Sequence, residues 1–157
     1  FSQKKGKLFI LGSIPNPKKE KEFYDKYLND TNYTLIPRKK ERPTYDIVDQ
    51  SKIILTVEST LGYEAMARGK KVAYFSLRKN IHPDNTANFG WPAIKKANGP
   101  FWVNASDITT FKNLLNYLEN INEEDYLKVL KQHSSDLIEY DEGNNKFKNL
   151  IHSLLRT

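Results

Sequence analysis

Cysteine is absent from the 157 residues, methionine occurs once and tryptophan twice. Without cysteine there are no disulfides and no thiolate metal sites, which fits a cytosolic location. No run approaches the roughly 18 apolar residues of a membrane span, and no signal peptide is visible. There is no internal repeat and no low-complexity tract. No Gly-x-Gly-x-x-Gly follows the first apolar run and there is no Walker-type loop, so dinucleotide and ATPase chemistry lack their motifs. A Ser-His-Asp hydrolase would need a nucleophile elbow, and none is present. The three histidines, His82, His133 and His152, share no metal-ligand spacing, so no metal is expected. The chain opens on Phe1 rather than Met, as a piece of a longer protein would.

What is present is length enough for one domain with a real core, and a formal net charge of +6. Basic clusters occur at Lys18-Lys19 and at Arg38-Lys39-Lys40-Glu41-Arg42. A basic balance favours anionic partners such as nucleotides, nucleic acid or a phospholipid surface, although the same clusters also suit solvated loops. Nucleic acid is disfavoured because no basic stripe is interleaved with aromatics.

Five apolar runs have strand length: 7–11, 33–36, 52–57, 71–75 and 101–103. The third and fourth are nearly continuous in Ile, Leu, Val and aromatics, as strands buried on both faces of a parallel sheet are. Helical spacing separates the runs. Residues 18–29 carry Phe23, Tyr24, Tyr27 and Leu28 after Pro15 and Pro17, and short helices are expected over 44–50 and 60–68. Alternation of this kind predicts an α/β fold, a doubly wound, mainly parallel sheet of about five strands. Beyond Asn104 only helices follow, filling 105–157. Ser106 or Asp107 caps one that carries Phe111, Leu114, Leu115 and Leu118; a second covers 123–138; a third follows Gly143 with Phe147, Leu150, Ile151 and Leu154. The loop 77–100 is long for a compact domain, and such loops are usually functional.

Ligands of open α/β sheets bind at the carboxyl ends of the strands. The residues following each run are therefore the candidate rim: Gly12 and Ser13, Arg38, Glu58 with Ser59 and Thr60, Ser76 through Arg78, and Asn104. Hydroxyls, backbone amides and two arginines form a phosphate receptor, and the helix starting near Thr60 adds partial positive charge. Gly62 allows close approach of backbone and ligand. Ser59 and Thr60 also suit ordinary N-capping. Glu64 falls one step beyond a capping box, and its other use is an i,i+4 pair with Arg68. In the aromatic loop, Phe101 and Trp102 are expected to pack on the sheet. Trp91 either packs there or stacks on a ligand ring.

Two segments carry a family likeness. "ESTLGYEAMARGKKVAYFSLR" (58–78) resembles the donor-binding, C-terminal half of GT-B glycosyltransferases, closest to bacterial surface-carbohydrate proteins of capsule and lipopolysaccharide assembly. "FGWPAIKKANGPFW" (89–102) is similar to further elements of that group, and the likeness spans about residues 45–120. It implies that residues 1–157 form a single nucleotide-sugar donor-binding domain, one half of a two-domain, cytoplasmic transferase at the inner face of the cytoplasmic membrane. Ser59, Thr60 and the Leu61 and Gly62 amides would hold the donor phosphate, and Glu64 the ribose hydroxyls. Arg78 or Arg38 would stabilise the leaving phosphate without a metal. No cofactor is implied beyond the nucleotide-sugar substrate, and the general base would come from the N-terminal acceptor domain, leaving catalytic residues unassigned. Relatives often close the first strand with His-Pro, whereas this chain reads Leu11-Gly12-Ser13-Ile14-Pro15. A teichoic-acid type polyol-phosphate transferase, or a non-catalytic nucleotide-binding or scaffold domain, are the alternatives.

Overall fold

The computed structural model describes residues 6–29, 31–38, 43–76, 86, 88–105 and 107–156. It divides into two compact units, Phe1–Gln50 and Ser51–Thr157. The first unit holds strands β1 (Leu8–Leu11) and β2 (Tyr33–Ile36) and helices α1 (Pro17–Tyr27) and α2 (Thr44–Gln50). The second holds β3 (Ile54–Thr56), α3 (Thr60–Ala67), β4 (Val72–Phe75), β5 (Asn98–Gly99) and β6 (Trp102–Val103). It continues with α4 (Ile108–Asn120), α5 (Glu123–Ser134), a 3₁₀ turn (Glu142–Asn144) and α6 (Asn145–Leu154).

The α/β class holds, with six helices among the described residues, but the strands described there do not form the expected single sheet. Hydrogen bonding divides the strands between two small sheets, a parallel β1–β2 pair and a four-stranded sheet in the order β3-β4-β6-β5. The second sheet is parallel through β3, β4 and β6 and antiparallel at β5–β6. The extra strand lies inside the segment expected to be loop. Asn98 and Gly99 pair with Val103 and Trp102, and a Cβ on Gly99 would meet the Trp102 ring at 2.1–2.2 Å. A residue without a side chain is what lets that two-residue strand fold back under the indole.

Burial also departs from the strand pattern. β4 is buried at Val72, Ala73 and Tyr74 as expected, but β3 lies at an edge of its sheet and Leu55 is 49% exposed. In α1, Asn16 caps the helix by accepting from the Lys18 and Lys19 amides, and Pro17 presets the first turn. Its Phe23 and Tyr27 are exposed, while Glu20 is buried. In the second unit Asp107 supplies the expected cap of α4, and Ser106, the other candidate, lies outside the described residues. The α4 face of Leu114, Leu115 and Leu118 is buried, and Phe111 stacks on Phe75 of β4 with centroids 4.3 Å apart. No helix is long and apolar enough to cross a membrane among the described residues.

Tyr126 fastens α5 to the start of β4. Its hydroxyl donates to the Lys70 carbonyl at 2.7 Å and accepts from the Val72 amide at 3.2 Å. Burial pushes its pKa from 10.0 up to about 12. Tyr126→Phe leaves two backbone groups without this partner and is expected to cost about 1–3 kcal/mol at neutral pH in urea unfolding. Above pH 10 the unfolded chain releases a tyrosyl proton that the folded state still holds, so stability falls as pH rises toward 12. That slope should be shallower in the Phe variant.

Candidate functional site

In the second unit β3, β4 and β6 run parallel, so their carboxyl ends share one edge of the sheet. The chain leaves β3 through Val57 and Glu58 and turns into α3 at Ser59. Ser59 has extended backbone and its Oγ accepts from the Leu61 amide at 3.2 Å, while its own amide donates to Thr56 Oγ1. The Gly62 amide donates to the Ser59 carbonyl at 2.9 Å. The capping reading of Ser59 is therefore realised, and the Leu61 and Gly62 amides both have partners within the turn. The side chains of Ser59 and Thr60 are exposed, and Glu64 is half-buried one turn into the helix.

Beside this turn opens a cleft of about 250 Å³. Its walls are Val57 and Glu58 from the end of β3, Tyr63 from α3, Tyr74 from β4, and Thr86, Asn88, Phe89 and Trp91 from the aromatic loop. Phe89 anchors that loop. It is buried, lies parallel to Tyr63 at 5.5 Å, tilts against Tyr74 at 4.5 Å and stacks on Trp102 at 5.0 Å. Hydrogen bonds fix its backbone. The Phe89 amide donates to Asn104 Oδ1 and the Gly90 amide to Tyr63 Oη, both at 2.9 Å. Asn104, expected on the rim, thus serves as a loop clamp, its amide also donating to the Ala97 carbonyl at 2.8 Å.

The packing expectation for the loop holds at Phe101 and Trp102, both fully buried. Trp91, left open between packing and stacking, is 51% exposed on the cleft wall. Tyr74 is the notable wall residue. It is 1% exposed, and its hydroxyl has no hydrogen-bond partner among the described residues. That hydroxyl sits beneath the first turn of α3, where a Cβ on Gly62 would meet it at 3.0 Å and Thr56 Cγ2 at 2.6 Å. Burial, reinforced by Tyr63 and Tyr126, pushes its pKa upward, so it stays neutral.

The remaining sequence candidates lie elsewhere. Ser13 and Arg38 meet in the first unit, where Arg38 Nη1 donates to the Ser13 carbonyl at 3.1 Å. Ser13 in turn donates its amide, at 2.7 Å, and its hydroxyl to Glu20 Oε1. Glu20 is 4% exposed and its Oε2 has no hydrogen-bond partner among the described residues. An internal carboxylate thus already occupies the donors after β1. Arg78 lies outside the described residues. Among those that are described, no group of three or more His, Asp or Glu is placed to hold a metal. Sequence reasoning passed over Glu20, Tyr63 and Tyr74. The first reads as a solvated residue in a charged helix and the others as core aromatics, and only the position of Tyr74 at the carboxyl end of a parallel run hinted at a rim role.

A family model described as "putative O-antigen biosynthesis protein" matches residues 7–155. No curated protein and no solved structure matches the chain.

Removing the Tyr74 hydroxyl should have the opposite sign to removing that of Tyr126. Tyr74→Phe deletes a buried donor that has no partner to abandon, so urea unfolding is expected to show unchanged or higher stability, within about 1 kcal/mol. A loss as large as that of Tyr126→Phe would mean that the hydroxyl is satisfied.

Proposed function

The chain belongs to this family of O-antigen biosynthesis proteins, and from that membership we propose that residues 51–157 bind the nucleotide-sugar donor of a glycosyltransferase building a surface polysaccharide. The observation that carries the reading is the cleft at the β3–α3 turn. It lies at the carboxyl edge of the parallel strands, where α/β sheets take their ligands, and combines polar groups with an exposed indole. The donor's ring stacks on Trp91, an arrangement open to any base or sugar face. Its phosphates meet the exposed hydroxyls of Ser59 and Thr60 at the positive end of α3. Two carboxylates serve the pentose diol, Glu64 one turn into the helix and Glu58 on the cleft wall.

Binding, not turnover, is the activity proposed for these residues. The likeness of 58–78 and 89–102 to GT-B donor domains supports it, as does the Gly62 packing that lets α3 start directly above Tyr74. The reading is confined to the second unit and does not draw on Ser13 or Arg38.

UDP, GDP, CDP and CMP, titrated in turn against ¹⁵N-labelled protein, provide the test. At least one should move the amide resonances of 59–64 and the Trp91 indole N–H while leaving the buried Trp102 indole in place. Glu58→Gln and Glu64→Gln should each weaken binding by roughly ten-fold, as loss of one charge-assisted hydrogen bond does. If no nucleotide perturbs either the turn or Trp91, donor binding at this cleft is wrong.

A further inference from the structure

We propose that α6 is an interfacial helix that seats the protein on an anionic phospholipid surface. Phe147, Leu150, Ile151 and Leu154 recur at i, i+3, i+4 and i+7, yet each is between 39 and 63% exposed, and Leu155 just beyond is 79% exposed. At about 100° per residue these five side chains fall in one arc of about 140°. The principal packing partner of the helix is the short 3₁₀ turn before it, so this face is not spent on the core of its own unit.

The polar side chains identify the occupant. Lys146 and Lys148 flank the apolar arc, one on each side, and His152 and Arg156 lie on the far face. No acidic residue occurs in 145–156. Lysines at the two borders of an apolar stripe can lay their stems along a hydrocarbon boundary while the ammonium groups reach phosphate. The ion pair of Lys146 with Glu139 is exposed at both ends, so little opposes its exchange for a lipid phosphate. The helix lies on the surface and does not span it: ten residues extend about 15 Å, half of a bilayer core. A second copy of the chain is a poorer occupant. Pairing two such helices would set cationic borders against each other, where helix pairs normally place opposite charges.

This inference rests on a helix that takes no part in the proposed nucleotide cleft, so either can fail alone. Co-sedimentation of the 157-residue chain with vesicles of phosphatidylcholine, with and without phosphatidylglycerol, tests it. Binding is expected to the phosphatidylglycerol-containing vesicles, to weaken as salt is raised, and to be absent with phosphatidylcholine alone. Leu150→Ser/Leu154→Ser and Lys146→Glu/Lys148→Glu should each lower partitioning at least roughly ten-fold. Both pairs alter exposed side chains, so an unchanged far-UV spectrum is expected. Phe147→Trp should shift its emission to the blue on the anionic vesicles. Equal binding to both vesicle types, parental binding by the Leu150→Ser/Leu154→Ser variant, or a dimer in light scattering that this variant dissolves without any vesicle binding, would each overturn the proposal.

Discussion

Phe89 reaches from the aromatic loop into the space between Tyr63, Tyr74 and Trp102, and the rest of the site depends on that insertion. Burying a ring of this size is worth roughly 2–3 kcal/mol before its stacking contacts are counted. It is also positional. With Phe89 fixed among side chains from α3, β4 and β6, the loop residues 88–91 are held beside the carboxyl end of β3. The hydrogen bonds that the Phe89 and Gly90 amides donate to Asn104 Oδ1 and Tyr63 Oη hold it there. Trp91 follows two residues later, and its half-exposed ring forms a wall of the cleft. A cleft at the sheet edge is the geometrical result.

Two buried tyrosines illustrate how the same chemistry is used in opposite ways within one unit. Tyr126 exchanges hydrogen bonds with Lys70 and Val72 and ties a helix to a strand. Tyr74 sits one strand position from Phe75 with its hydroxyl unmatched under α3. A satisfied polar group in a core contributes to stability, whereas an unsatisfied one costs free energy. Glu20 presents a similar contrast within a single side chain. One carboxylate oxygen gathers the Ser13 amide and hydroxyl, while the other is buried without a partner. A proposed donor site built on α3 leaves that carboxylate in place.

The membrane-facing reading of α6 and the nucleotide reading of the cleft fit one kind of work. Membership in a family of O-antigen biosynthesis proteins associates the chain with surface-carbohydrate assembly. The two features are nevertheless physically separate, one a polar cleft at a sheet edge and the other an apolar stripe on a terminal helix.

Composition and periodicity by themselves determined the local elements. Every apolar run read as a strand became one, within a few residues, because runs such as 71–75 are too short and too rich in β-branched and aromatic residues for anything else. The helices expected over 44–50 and 60–68 appeared almost to the residue, as Thr44–Gln50 and Thr60–Ala67, and Asp107 capped α4 as its side-chain chemistry allows. Only tertiary structure decided how strands pair, since β-branched character is the same whether a strand lies at an edge or a centre. It also split the strands into two sheets, exposed Leu55 on β3, and folded Asn98 and Gly99 into an antiparallel strand under Trp102. The site was legible in part for the same reason. The capping role of Ser59 is local and was foreseen, whereas the burial of Glu20, the unmatched hydroxyl of Tyr74 and the anchoring by Phe89 depend on residues far apart in sequence, which no spacing rule connects.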